Sequence, residues 1–270
     1  EAAGNRLINA FKPAFVSNMS LSVTWNPRNY GNVESNSYFI RATLESGGTT
    51  LNIISPSIIT NWGLQPYQYV RLNVDARKTS VINKHTLAAF RVNSGIGYAY
   101  SENKVLPYEK NFFIGGSNSV RAWRPRRLGP GALPPALSTD PKGDGLFDYR
   151  FEKPGDLLIE ASAELRQKLF GFVNYAVFLD VGNVWSIQSN TDPRSKFSLD
   201  RFFKEFGIGT GFGLRFDFTF LIMRLDMGIK VFDPARQEGD RFVLDKVKLF
   251  GPFGTEREPV IFNIGIGYPF

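Results

Sequence analysis

Residues 206–219 read Phe-Gly-Ile-Gly-Thr-Gly-Phe-Gly-Leu-Arg-Phe-Asp-Phe-Thr. The even positions carry Phe206, Ile208, Thr210, Phe212, Leu214, Phe216 and Phe218, and the odd positions carry Gly207, Gly209, Gly211, Gly213, Arg215, Asp217 and Thr219. Side chains two apart share one face of a strand. As a strand, the segment has one almost wholly apolar face, and the other face is glycine and opposite charges. A helix would spread the same residues around its circumference, and each interior glycine would cost about 1 kcal/mol against alanine.

The period of two extends outward in both directions. Residues 221–231 set Leu221, Met223, Leu225, Met227, Ile229 and Val231 against Arg224, Asp226, Gly228 and Lys230. Residues 157–169 set Leu157, Ile159, Ala161, Ala163, Leu165 and Leu169 against Glu160, Ser162, Glu164, Arg166 and Lys168, and residues 172–185 put Val173, Tyr175, Val177, Leu179, Val181 and Trp185 on one side. Weaker copies lie near 16–26, 37–45, 68–78 and 87–99, and a last one at 260–270 has Val260, Phe262, Ile264, Ile266, Tyr268 and Phe270 in phase. Nine strands are predicted. No apolar run approaches the roughly 20 residues of a membrane helix, so a membrane can be crossed only by strands, which show nothing but alternation. A soluble antiparallel sandwich also alternates. Two features point away from it: polar faces of glycine and opposite charges, which suit a wet or ion-paired interior, and aromatics near the strand ends, as in the girdles of membrane barrels.

The connections are unequal. A short turn falls near Phe170-Gly171, and long loops fall at about 46–66, 101–156, 186–204 and 233–258. Short turns on one side and long loops on the other are the pattern of outer-membrane barrels. The expected fold class is therefore all-β: an antiparallel transmembrane β-barrel in the bacterial outer membrane, its apolar face against lipid. Nine is odd, whereas single-chain bacterial barrels have an even count. A strand missed within 1–14, an incomplete chain, or a fragment of a larger barrel would each resolve this; residues 1–14 read as the end of a loop, which favours the fragment. The expected organisation of 1–270 is one membrane barrel domain or the C-terminal part of one.

Composition narrows function. There is no Cys among the 270 residues, so thiolate metal sites and disulfides are excluded. The formal net charge is +7, yet the dense basic run is confined to Arg121–Arg127 and many other basic residues fall on one strand face, which points away from nucleic acid. The single His, His85, sits at a predicted turn with no Gly-x-Ser-x-Gly segment near it. Serine hydrolysis needs such a base, so an enzyme is not expected, nor a cofactor or metal.

Three motifs carry a family resemblance. The first is Gly115-Gly116-Ser117-Asn118-Ser119-Val120-Arg121-Ala122-Trp123; the second is Phe178-Leu179-Asp180-Val181-Gly182-Asn183-Val184-Trp185, preceded by Glu164 in Ala161-Ser162-Ala163-Glu164-Leu165; the third is Asn263-x-Gly265-x-x-Tyr268-x-Phe270. Their order resembles that in the BamA/TamA superfamily of outer-membrane assembly and translocation barrels, the bacterial surface antigen family. The first is similar to the Val-Arg-Gly-Phe motif of that family's long sixth loop, with Val120 and Arg121 matching, Ala122 in place of Gly and Trp123 in place of Phe. The second is similar to the strand after the loop, with Phe178, Asp180 and Gly182 as its core. The third resembles the C-terminal recognition signal of outer-membrane barrel proteins, with Phe270 expected on the lipid face. The resemblance spans about 15–270 and implies the last nine strands of a sixteen-stranded barrel, a long loop folded into the lumen, and substrates admitted at the seam between first and last strands. It also implies upstream periplasmic domains outside this chain, nascent outer-membrane or secreted proteins as substrates, and accessory lipoproteins or periplasmic subunits as partners.

Residue chemistry bears on the same set. Alternation puts Glu164 and Asp180 on the polar sides of neighbouring strands, and the planar fork of Arg121 suits two carboxylates better than an ammonium would. Such a set adds little net stability, because desolvation opposes attraction, but it would hold one loop position. The residues alone leave a second reading open: Arg121 as one of four arginines, with Arg124, Arg126 and Arg127, on a solvated loop. The expected function is assembly or translocation of proteins at the outer membrane; the alternative is a passive pore or a small structural barrel.

Overall fold

The computed structural model describes residues 16–27, 36–48, 61–64, 67–101, 104–135, 151–188, 192–218, 220–247 and 260–270. Among the described residues, nine strands form one antiparallel sheet in chain order: β1 (Asn18–Trp25), β2 (Ser37–Gly47), β3 (Tyr69–Asn83), β4 (Thr86–Ala99), β5 (Leu157–Phe170), β6 (Val173–Trp185), β7 (Gly207–Asp217), β8 (Ile222–Phe232) and β9 (Val260–Ile266). Each strand pairs with the next, and β1 and β9 are the two ends of the order. Adjacent antiparallel ladders satisfy the backbone N–H and C=O groups of the paired strands internally, the requirement for crossing a bilayer core that offers no water.

The register turns sequence alternation into two distinct surfaces. On one face Leu165 lies beside Val177, Val177 beside Phe212, Phe212 beside Met227 and Met227 beside Phe262, an apolar row across five strands. Leu165, Val177, Phe212 and Phe262 are all exposed. Apolar surface of this extent is costly in water and is what a lipid-facing band requires. On the other face, called the inner face below, Glu164 lies beside Phe178, Phe178 beside Gly211 and Gly211 beside Gly228. One step along, Asp180 lies beside Gly209, and on the other side Gly213 lies beside Asp226 and Asp226 beside Asn263. Glu164, Asp180 and Asp226 are buried there.

The β3–β4, β5–β6 and β7–β8 connections are short and the others long. His85 is exposed in the Lys84-His85 turn between β3 and β4. Of the long 101–156 loop, 104–135 and 151–156 are described. The loop folds on itself through bridges Phe112 to Gly155 and Ile114 to Leu128. Residues 1–14, part of the 46–66 loop and the distal part of the 233–258 loop lie outside the described residues.

One expectation is corrected. The last strand does not run to 270 but stops at Ile266, and Phe270 is not on the lipid face. Gly267 has φ +77°, in the left-handed region that β-carbon-bearing residues avoid. Its N–H donates to the Ile222 carbonyl at 2.7 Å, closing the ladder. Beyond it the chain turns to the inner face, where Pro269 and Phe270 are buried and Phe270 packs with Leu87 and Ala89 of β4. A strict period of two carried Tyr268 and Phe270 outward on paper; one left-handed glycine breaks the phase.

Placing an arginine in the middle of the apolar row tests the assignment of faces. Phe212→Arg is expected to destabilise the folded barrel by about 2–4 kcal/mol, the cost of a basic side chain near the bilayer midplane. Phe212→Leu is expected to cost under about 1.5 kcal/mol. Denaturant titration of the protein folded in lipid vesicles measures both.

Candidate functional site: a loop arginine docked on the inner face

The inner face of β6, β7 and β8 is a shallow channel, because Gly209, Gly211, Gly213 and Gly228 stand side by side with no side chains. The loop fills this channel. A β-carbon added at Gly228 would sit 2.4 Å from the Arg121 carbonyl oxygen, and one added at Gly209 would sit 2.5 Å from the Ala122 β-carbon. Gly209 and Gly228 are therefore a docking surface for the 120–123 segment rather than a wetted wall, while Gly211 lies against the Phe178 ring and Gly213 against Asp226 and Arg215. Around them Phe112, Ile114, Val120, Ala122, Trp123, Leu128, Leu158 and Val184 form one buried apolar cluster. Trp123 lies over Gly207 and Gly209, with the Lys230 ammonium 5.2 Å from its ring centre.

Arg121 is 0 % exposed. Its Nε donates to one Asp180 oxygen at 2.8 Å and its Nη2 to the other at 2.9 Å, a planar two-point pairing. Its Nη1 donates to Glu164 at 2.5 Å. Its backbone N–H also donates to Asp180, at 3.1 Å. The guanidinium carbon stands 3.4 Å from the centre of the Phe178 ring, so the cation is covered by an aromatic face on the same strand as Asp180. Gly182, the last residue of that strand motif, lies under Ile114 of the loop. Arg121 is thus not part of a solvated run with its neighbours: Arg124 and Arg126 are exposed, and Arg121 is buried.

Three further arginines complete the cluster, and the sequence reading placed them on polar strand faces without joining them to the loop. Arg215 donates to Asp226 at 2.5 Å and to Glu164 at 3.2 Å. Arg166 donates to the second Glu164 oxygen at 2.8 Å. Arg224 lies 3.8 Å from Asp226, against β9 at Gly265, and donates to the Asn118 side chain of the loop. Four guanidinium groups thus meet three carboxylates, Glu164, Asp180 and Asp226, leaving one positive charge in excess. A signal for the β7–β8 pair was present in the sequence. Arg215 and Asp226 lie close on either side of one short turn, so a hairpin must bring them together. No comparable local signal links Arg166 or Arg224 to a loop residue.

A second grip holds the preceding turn of the loop. Arg91 of β4 donates to the Asn118 carbonyl at 2.9 Å and pairs with Asp75 at 3.2 Å and Glu160 at 3.1 Å. The Ser119 hydroxyl donates to Glu160. From β9, the Asn263 amide donates to the Arg121 carbonyl at 2.9 Å. Of the four residues in the terminal motif, Asn263 and Gly265 therefore touch the loop cluster, while Tyr268 and Phe270 sit further along the inner face. Among the described residues, no group of three or more His, Cys, Asp and Glu is placed to hold a metal ion. The carboxylates here are taken up by guanidinium groups.

The magnitudes indicate what the arrangement does. A desolvated ion cluster contributes little net stability, but removing one partner strands a buried charge at about 3–5 kcal/mol. Among the described residues, Arg121 is the cation paired with Asp180. The cluster therefore defines one docked position of the loop and penalises departures from it.

A profile of the Omp85 superfamily domain matches residues 11–270. Among solved structures, BamA from Haemophilus ducreyi lacking POTRA domains 1–3 is similar at 15% identity and a TM-score of 0.54, over 90% of this chain and 46% of that one. CdiB from Acinetobacter baumannii is similar at 15% identity and a TM-score of 0.48, over 93% of this chain and 33% of that one. The chain thus spans less than half the length of either structure.

Docking of the loop can be read from a single thiol, since the sequence contains no Cys. A Val120→Cys reporter, buried at a position now 1 % exposed, is expected to resist maleimide in the otherwise unchanged protein. Adding Gly228→Val, or Arg121→Ala, is expected to raise its labelling rate by at least about tenfold, the change that 1.4 kcal/mol produces and well within the cost of breaking the cluster. Arg121→Lys is expected to fall between, because an ammonium keeps the charge but loses the fork.

Proposed function

The chain belongs to the Omp85 superfamily, whose members are outer-membrane assembly and translocation barrels, and from that premise we propose that this protein inserts or exports other proteins at the bacterial outer membrane. In this reading residues 1–270 supply the C-terminal part of a sixteen-stranded barrel, with upstream periplasmic domains contributed by sequence outside this chain. The 104–135 loop works from inside the lumen, and substrates are admitted at a seam formed by the last strand. The substrates are nascent outer-membrane or secreted proteins, and accessory lipoproteins or periplasmic subunits deliver them. No covalent chemistry and no cofactor enter the proposal: the work is done by positioning strands, not by making bonds.

The observation that supports the reading best is the complete desolvation of Arg121 between Asp180 and Glu164. A passive pore gains from charges that line an open, hydrated path. Here instead the charges are spent on fixing one loop, and Phe112, Ile114, Val120 and Trp123 fill the space beside them. A device that must return one loop to one place suits a cycle of engagement and release better than it suits steady conduction.

The reading predicts a separation between the fate of the protein and the fate of its clients. In cells relying on Arg121→Ala, the variant barrel is expected to reach the outer membrane and show the heat-dependent gel mobility of a folded barrel. The outer-membrane levels of other barrel proteins, or the release of its secreted client, should fall several-fold. Quantitative immunoblots of membranes and medium measure this. Unchanged client levels with altered single-channel conductance would instead support the pore.

A further inference from the structure

The last residues of the sequence occupy a built seat on the inner face that the loop cluster does not explain. Phe270 is 6 % exposed and rests on Leu87 and Ala89 near the end of β4. The Arg166 guanidinium lies 4.1 Å from the centre of the Tyr268 ring and 5.6 Å from that of Phe270. Its Nη2 donates to the Phe270 carbonyl at 3.2 Å. The same guanidinium gives its Nε to Glu164 at 2.8 Å, on the oxygen that Arg121 leaves free. Glu164 thus has one oxygen turned toward Arg121 of the loop and Arg215, and the other toward Arg166, which holds Phe270.

We propose that Arg166 is a positioning residue that couples the docking of the loop to the stowing of Tyr268-Pro269-Phe270, with Glu164 as the shared partner. The direction follows from the fork. While residues 268–270 are seated, Arg166 divides its donors between Phe270 and one Glu164 oxygen, and the other oxygen accepts from both Arg121 and Arg215. If residues 268–270 leave, the freed Nη2 of Arg166 can turn to Glu164 and pair at two points, competing with Arg121 for an oxygen that already accepts twice. If Arg121 leaves, that oxygen keeps Arg215 alone, and its freed lone pair draws the same Nη2 away from Phe270. The docked loop and the stowed 268–270 segment therefore favour each other, and reciprocity requires each to alter the other's equilibrium by the same factor. An ammonium at 166 would keep the charge and the ring contact but could not serve both partners in one plane. The device needs only the fold and the cluster, so it stands or falls independently of the proposed client proteins.

The test uses the intact protein in outer membranes, with Tyr268, Pro269, Phe270 and Leu87 left in place. Ala89→Cys puts a single thiol, in a sequence with no other, at a position that is 0 % exposed and packed against Phe270, and maleimide labelling of it reports departure of residues 268–270. Folding is followed in parallel by heat-dependent gel mobility. Slow labelling is expected, raised several-fold by Arg166→Gln, raised less by Arg166→Lys, and also raised by Arg121→Ala. Arg236→Gln, which breaks a loop pair with Asp240 outside this cluster, should leave it unchanged. In the reverse direction, Phe270→Ala should raise maleimide labelling of Val120→Cys several-fold. Rapid labelling of Ala89→Cys in the otherwise unchanged protein would overturn the seat. Labelling of Ala89→Cys indifferent to Arg166→Gln would overturn the role of Arg166. Labelling of Ala89→Cys indifferent to Arg121→Ala, or of Val120→Cys indifferent to Phe270→Ala, would overturn the coupling. If Arg166→Gln does not fold, the Arg166→Lys and Phe270→Ala arms decide the same question.

Discussion

A guanidinium withdrawn from water must have carboxylates around its edge, and Arg121 imposes that demand on the whole inner face. Asp180 meets it at two points and Glu164 at a third. Those carboxylates can be buried only because Arg121, Arg166 and Arg215 neutralise them in turn. Phe178 covers one face of the cation. Each of these groups would be expensive alone at its depth, and together they are tolerable only in one arrangement. Specificity of position, rather than stability, is what such a cluster supplies here.

The backbone makes the arrangement possible. A chain segment can approach a sheet this closely only where the sheet has no side chains, and Gly209 and Gly228 provide that at the point where Arg121 and Ala122 cross. The glycines weaken the strands that carry them, and the loop restores contact by packing its own apolar residues over them. The rows of glycine and charge in the sequence thus act together. Gly209 and Gly228 admit the loop backbone, Gly211 and Gly213 leave room for Phe178, Asp226 and Arg215, and the flanking charges capture the loop arginine.

Most of the fold was legible from alternation. Strand positions came from the period of two, and the two faces came with them, because a strand has no freedom to put neighbouring side chains on one side. The departures are instructive. At Gly267 a single left-handed residue ended β9 and sent Tyr268 and Phe270 inward, a change that leaves the hydrophobic pattern intact. At Arg121 the residues alone could not separate a solvated loop from a buried one, since four arginines lie within seven positions. Burial separates them, and it depends on contacts up to 142 residues away, as with Asn263.

What the sequence determined by itself is therefore the strand set and the assignment of apolar and polar faces. Both follow from local geometry, which fixes side-chain direction within a few residues. Only the tertiary structure decided that Gly209 and Gly228 receive a loop, that Arg215 pairs with Asp226, that four arginines share three carboxylates, and that Arg166 also grips Phe270. Those outcomes depend on which distant side chains compete for the same oxygen atoms. Local periodicity says nothing about such competition until the sheet brings the competitors together.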